Sequence, residues 1–228
     1  MEIQRIEWGE LLRDFRWKQG EHLAAIAPTG AGKTTLFRKL MPYRKYNIMF
    51  GTKPRDKSYD LILRQGFKRI ESIKEINTWD NNYLLWPRQR KTIPETMIVQ
   101  RDAFREAMNV IVHHGSWTLW VDEAKYITEM LKLRTELTYC LEQLRSIDAT
   151  IICGAQRPSY IPPSVLSNSS HIFLWKTTEE NDQKKLADIG GVDSRLVKQE
   201  AKTLDEFEFI YIKSRGTQTV MVRSEVKE

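Results

Sequence analysis

Eight residues from Ala27 to Thr34 read Ala-Pro-Thr-Gly-Ala-Gly-Lys-Thr. This is the spacing of a phosphate-binding loop, with alanine where the first glycine usually stands. The residues before it are apolar and of strand length, and those after it have helical composition. A glycine-bearing turn that opens a helix points several backbone N–H groups inward, and the helix dipole adds positive potential where they converge. Gly30 and Gly32 permit backbone geometry and a close approach that a side chain would obstruct. Thr29, Gly30, Ala31, Gly32, Lys33, Thr34 and Thr35 are the residues expected to cradle the phosphates. In such a loop Lys33 reaches the β- and γ-phosphates and the Thr34 hydroxyl ligates Mg²⁺.

Two further stretches could complete the site. Trp117-Thr-Leu-Trp-Val-Asp-Glu123 is an apolar strand that ends in adjacent carboxylates. Neighbouring residues at a strand end point in different directions, so the two acids can divide the work. Asp122 is assigned to the Mg²⁺ shell and Glu123 to the attacking water as general base. The plainer alternative is a strand end followed by an acidic helix start. Ala149-Thr-Ile-Ile-Cys-Gly-Ala-Gln-Arg-Pro-Ser159 has the same form. Gln156 falls where its strand should end, at the ligand-bearing edge of an open α/β sheet. Its amide can donate to a γ-phosphate oxygen and accept from water; on position alone it could equally be a turn residue before Pro158.

The elements that must position these groups are legible as alternating apolar runs. Strands are expected over 23–27, 47–50, 83–86, 118–121, 150–153, 172–175 and 207–212, with helices over 34–41, 98–113, 134–145 and 182–189. Such alternation implies an α/β fold with a mostly parallel sheet between helical layers. Residues 53–82 are the least patterned and are expected to form a small insertion over the sheet. The tail after Val222 is polar and expected to fray. One domain over 1–228 is the natural reading for 228 residues of which 41% are hydrophobic.

Composition narrows the class further. Cys140 and Cys153 are too few for a disulfide framework and read as reduced core residues of a cytoplasmic-type compartment. The first residues lack signal-peptide shape, and no apolar run approaches a membrane span, so no membrane insertion is expected. His113-His114 ends a helix without a ligand partner at metal spacing. Trp117, Trp120 and Trp175 fall on strands and read as packing residues. An excess of 36 Lys+Arg over 30 Asp+Glu, a net +6, favours a polyanionic partner.

The ordered set Pro28-Thr-Gly-Ala-Gly-Lys-Thr34, Val121-Asp-Glu123 and Ala155-Gln-Arg-Pro-Ser159 resembles the motifs of the FtsK–HerA superfamily. The last stretch is similar to the strand-end glutamine motif of the FtsK translocases, and a weaker likeness runs from about Leu23 to Ile212. The resemblance implies a RecA-like P-loop fold, ATP with Mg²⁺ as the nucleotide, and a ring of subunits that moves double-stranded DNA. Small members of the superfamily include viral genome-packaging ATPases. That implies host cytoplasm as the setting and a viral portal or capsid component as docking partner.

The resemblance also marks Arg145, whose spacing to Gln156 matches an arginine of the FtsK pattern. A guanidinium from one subunit would neutralise charge on the phosphoryl group in the next. The alternative for Arg145 is a solvated helix-end residue, and Arg157 is the next candidate for the finger. His171 departs from a position that is often basic. The membrane segments and winged-helix module of the FtsK translocases are not expected here. Lys53-Pro-Arg-Asp-Lys57 and Arg88-Gln-Arg-Lys91 could grip a phosphate backbone without reading bases, or be solvated loops. A conjugation or plasmid-transfer ATPase is the nearest rival, and a P-loop nucleoside kinase the rival of another class. A kinase does not need Asp122-Glu123 followed by Gln156, and Glu123 argues against a non-hydrolysing switch.

Overall fold

Strands and helices alternate along the chain, as the apolar pattern requires. The computed structural model describes residues 3–76, 82–189, 191–214 and 220–227. The elements are β1 (Gln4–Arg5), α1 (Trp8–Asp14), β2 (His22–Ile26), α2 (Lys33–Leu40), β3 (Asn47–Phe50) and α3 (Lys57–Arg64). Next come β4 (Lys68–Ile70), β5 (Asn82–Leu85), α4 (Ile93–His114), β6 (Thr118–Val121), α5 (Arg134–Gln143) and β7 (Thr150–Ala155). The chain continues through α6 (Pro163–Asn168), β8 (Ser169–Trp175), α7 (Glu180–Lys185), α8 (Ser194–Thr203), β9 (Glu208–Lys213) and β10 (Val220–Glu225). Among the described residues, one sheet of ten strands runs in the order β1-β10-β9-β8-β2-β7-β6-β3-β5-β4. Within it β9 runs antiparallel to both of its neighbours, β8 and β10, and the other described pairings are parallel. The fold is therefore the α/β class expected, with a largely parallel sheet between helices.

Central strands are apolar on both faces because both are covered. In β2, β6 and β7, Ala24, Ile26, Leu119, Val121, Ile151 and Cys153 face one way, onto buried residues of α4, α5, α6 and α8. Leu23, Ala25, Trp120 and Ile152 face the other way, onto α1, α2 and α3. Trp120 and Trp175 are fully buried, in keeping with a packing role. Trp120 also donates its indole N–H to Asn47 Oδ1 at 2.8 Å, so its one polar atom is satisfied. Trp117 packs more peripherally, 5.4 Å from the ring of Tyr46.

Several boundaries differ from the sequence expectation. Helix α4 starts at Ile93 rather than 98, because Thr92 and Glu95 form a reciprocal capping box and Pro94 sits in the first turn. Helix α5 ends at Gln143, and Arg145 lies on a 3₁₀ turn, Leu144–Ile147. Residues 53–76 are partly layered on the sheet, through Tyr59 and Ile62, and partly built into it. They supply α3, capped by Asp56, and β4, which extends the sheet parallel to β5. The remainder of the 53–82 stretch up to residue 81 falls outside the described residues. The tail is not frayed: β10 pairs with β9 along six residues, and Val226 beyond it is buried. Its polar sequence misled because alternate residues, Val222 and Ser224, point inward.

His171, in β8, is buried between Tyr211 and Glu21, at 2.8 Å and 3.0 Å from its two ring nitrogens. Burial lowers its pKa against the pull of Glu21, and it is a packed side chain rather than a surface base. Among the described residues, no helix is long and apolar enough to cross a membrane. Cys140 and Cys153 are both buried and free, and burial raises the thiol pKa, to about 12 for Cys140. In the native protein both should resist a thiol reagent at pH 8, with labelling slowed about a thousandfold or more relative to denatured chain. Rapid labelling without denaturant, followed by absorbance of the released thiolate, would contradict this packing.

Candidate active site

The loop between β2 and α2 keeps the geometry that its glycines permit. Gly30 and Gly32 have φ of 86° and 100°, the left-handed region that side chains avoid. Ala27 has no such requirement: it prolongs the strand, donating its N–H to Ala155 O at 3.0 Å, so alanine is tolerated in place of glycine. Helix α2 begins at Lys33 with no side-chain cap at Gly32. Its first N–H groups are thus left to a ligand, and the helix N-terminus favours an anion. Space is tight behind the turn. A Cβ at Gly32 would meet Val226 Cγ1 at 3.1 Å, because the tail beyond β10 packs against the loop.

A cleft of about 280 Å³ opens over this turn, at the rim where the parallel strands end. It is lined by Thr29, Gly30, Gly32, Lys33, Thr34 and Thr35 from the loop, and by Asp122, Glu123 and Gln156 from the ends of β6 and β7. Strand order explains the convergence: β7 separates β2 from β6, so all three C-terminal ends adjoin. Residues nearly 130 positions apart in sequence therefore share one site. Ala31 belongs to the turn but is buried beneath it rather than lining the cleft.

Lys33 Nζ donates to the Asp122 carboxylate and, at 3.0 Å, to the Asp122 carbonyl oxygen. Both side chains are more than nine-tenths buried. Glu123 faces the cleft beside this pair, and Gln156 Nε2 donates to Glu123 Oε1 at 3.0 Å. The amide thus orients the carboxylate by holding one of its oxygens. For a divalent cation the cleft offers the Thr34 hydroxyl and the Asp122 carboxylate. Among the described residues no group of three or more His, Cys, Asp or Glu is placed to hold a metal ion. One carboxylate and one hydroxyl fit Mg²⁺, which takes its other ligands from phosphate and water.

Two site residues escaped the sequence reading. Gly154, in β7, lies behind the lysine–aspartate pair. A Cβ there would come 2.6 Å from Asp122 O and 3.1 Å from Lys33 Nζ, so only glycine leaves room for the contact. A lone glycine inside an apolar strand was the available signal. Lys53, read as part of a basic loop, lines the cleft instead and pairs with Asp56 at 2.7 Å. Burial would lower its pKa, but Asp56 and the field of Asp122 raise it, so the ammonium stays charged.

Other predicted residues lie elsewhere. Arg145 is exposed at the opposite rim, beside the start of β8, where it donates to Ser170 Oγ at 2.7 Å. It does not approach its own chain's cleft. Arg157 is engaged by Asp182 at 2.8 Å and by Glu179. Arg88 pairs with Glu71 at 3.0 Å in an exposed loop after β5, on the same rim as the cleft.

No family model and no curated protein matches the sequence. Solved structures do match in fold. The genome packaging NTPase B204 from Sulfolobus turreted icosahedral virus 2, in complex with sulfate, has a TM-score of 0.66 at 14% identity, over 93% of this chain and 100% of that one. The fold is that of a P-loop NTPase. VirB4 of Thermoanaerobacter pseudethanolicus has a TM-score of 0.64 at 11% identity, covering 91% and 89%. The pCW3 conjugation coupling protein TcpA with ATPγS has 0.51 at 13%, covering 90% and 60%. The chain thus shares its fold with a genome packaging NTPase and with VirB4.

Gly154→Ala should force Asp122 and Lys33 apart, at a cost of about 1–3 kcal/mol. Weakened binding of an ATP analogue by tenfold or more, with a lowered melting temperature, is the expected result by calorimetry. Lys33→Ala should abolish measurable nucleotide binding in the same assay, and wild-type affinity there would remove the site assignment.

Proposed function

We propose that this chain is a Mg²⁺-dependent ATPase that translocates double-stranded DNA as a ring, in the packaging of a viral genome. The observation that carries the reading is the convergence of Lys33, Thr34, Asp122, Glu123 and Gln156 on a single cleft. Thr29–Thr35 would bind the phosphates of ATP, and Thr34 with Asp122 would hold Mg²⁺, which offsets phosphate charge when bound. Glu123, oriented by Gln156, takes the proton of the attacking water. Lys33 neutralises charge on the transferred phosphoryl group.

The motor part of the reading is supported by fold likeness to a genome packaging NTPase and by the net charge of +6. Arg145 suits a finger offered to a neighbouring subunit, because it is exposed and distant from its own cleft. A viral portal or capsid component would be the docking partner. A role in conjugation is the second reading, favoured by fold likeness to the coupling protein TcpA.

Glu123→Gln should retain ATP binding while turnover falls roughly 10²–10⁴-fold; turnover near wild type would mean that another base acts. ATP hydrolysis should rise on addition of double-stranded DNA, and a ring-sized mass should appear with a nonhydrolysable analogue. Phosphorylation of a small acceptor instead would favour a kinase. Mixed rings of Arg145→Ala and Glu123→Gln subunits should regain part of the ATPase activity that each lacks alone. Verified mixed rings without such rescue would exclude a trans role for Arg145.

A further inference from the structure

The loop after β3 is built like a second arm of the phosphate site. Gly51 lets Trp86 lie against the backbone: a Cβ there would be 2.8 Å from the Trp86 side chain. Trp86 Nε1 then donates to Lys53 O at 2.9 Å. The Tyr59 hydroxyl accepts from Thr52 N at 2.9 Å and Lys53 N at 3.3 Å. Gln100, buried in α4, donates to Thr52 O at 3.1 Å, and its own Oε1 accepts from Tyr126 OH at 2.6 Å. Tyr126 opens a π-helical turn, Tyr126–Met130, three residues after Glu123. The backbone of Thr52 and Lys53 is thus fixed by four hydrogen bonds to three side chains and tied to the segment that carries the catalytic acid.

Only the side chain of Lys53 is left to move. It lines the cleft with Lys33, Thr34 and Asp122, is partly exposed, and its Nζ is held by Asp56 Oδ2 at 2.7 Å. Asp56 keeps its other oxygen on Ser58 N at 2.8 Å as the cap of α3, so it stays in place if the lysine leaves. Lys33, meanwhile, is shared with Asp122. The cleft's lining offers two ammonium groups against the two carboxylates of Asp122 and Glu123. A triphosphate brings more negative charge than Lys33 alone can offset.

We propose that Lys53 is a second phosphate-binding cation, which leaves Asp56 to contact the terminal phosphate of a nucleoside triphosphate. It thereby makes the site prefer triphosphate over diphosphate. This rests on the reading of the cleft as a nucleotide site, and it adds a residue and a discrimination that the loop, acid and glutamine motifs do not supply. Fixing the backbone while freeing one side chain keeps the ordering cost of the contact low. Asp56 competes with phosphate for the same ammonium, so it tunes the affinity that Lys53 provides.

The test is calorimetric binding of ATPγS and of ADP, each with Mg²⁺, to wild type, Lys53→Met, Lys53→Arg, Asp56→Asn and the double variant Asp56→Asn/Lys53→Met. Asparagine retains a capping oxygen for α3. Lys53→Met should weaken ATPγS about tenfold or more and ADP less than twofold, with Lys53→Arg recovering most of the loss. Asp56→Asn should tighten ATPγS, and the gain should vanish in the double variant. Equal losses for both nucleotides, or no loss for either, would overturn the proposal while leaving the nucleotide site intact. Failure of the wild-type chain to bind either nucleotide would remove the site reading itself, and this proposal with it. Melting temperatures of all variants separate misfolding from lost contact: a Lys53→Met chain that melts as wild type yet discriminates as wild type counts against the role.

Discussion

The site is organised around one buried charge pair, Lys33 with Asp122. The lysine starts a helix on one side of the sheet, and the aspartate ends a strand two positions away in the sheet order. Neither charge is in water, and a buried charge left alone is costly, so each constrains where the other can be. The constraint spreads outward. It demands a glycine at position 154, and it places Glu123, the next residue along, where Gln156 can hold it. A ligand that takes the lysine's ammonium must give the aspartate another cation in exchange. A phosphate chain arriving together with a divalent metal meets both demands at once.

The sheet achieves this by direction rather than by proximity in sequence. The strands β2, β3, β5, β6, β7 and β8 run parallel, so every loop that follows one of them opens onto the same rim. The phosphate turn, the acids, the glutamine and Lys53 all come from such loops. Residues at the strand starts, Arg145 among them, are thereby assigned to the other rim. In an open α/β sheet this separation of rims is also a separation of tasks, because ligands gather where the strands end.

Much of this was legible in the residues, and for identifiable reasons. Strands 47–50 and 118–121 were read to the residue because they are apolar on both faces and sharply bounded. The glycine turn and the acid pair were legible because their chemistry needs fixed spacing. Three things were not. β10 mixes its buried Met221, Val222 and Ser224 with charged residues and lies one strand in from the edge, which reads as a polar tail. β4 is two charged residues and one isoleucine, with nothing to mark it as a strand until β5 is beside it. Lys53 looked like any loop lysine, since its place in the cleft follows from the sheet order and not from its neighbours in sequence. Gly154, by contrast, did carry a signal, and its meaning depends on knowing which backbone passes behind it.

The tail has one more consequence. Val226 is held to Phe207 by a 3.0 Å backbone bond and rests its branched side chain against Gly32, in the heart of the nucleotide turn. The turn and the segment after the last strand are thereby in contact, and the turn cannot shift toward that strand without pushing on it. A single isopropyl group thus ties the position of the segment after β10 to that of the turn.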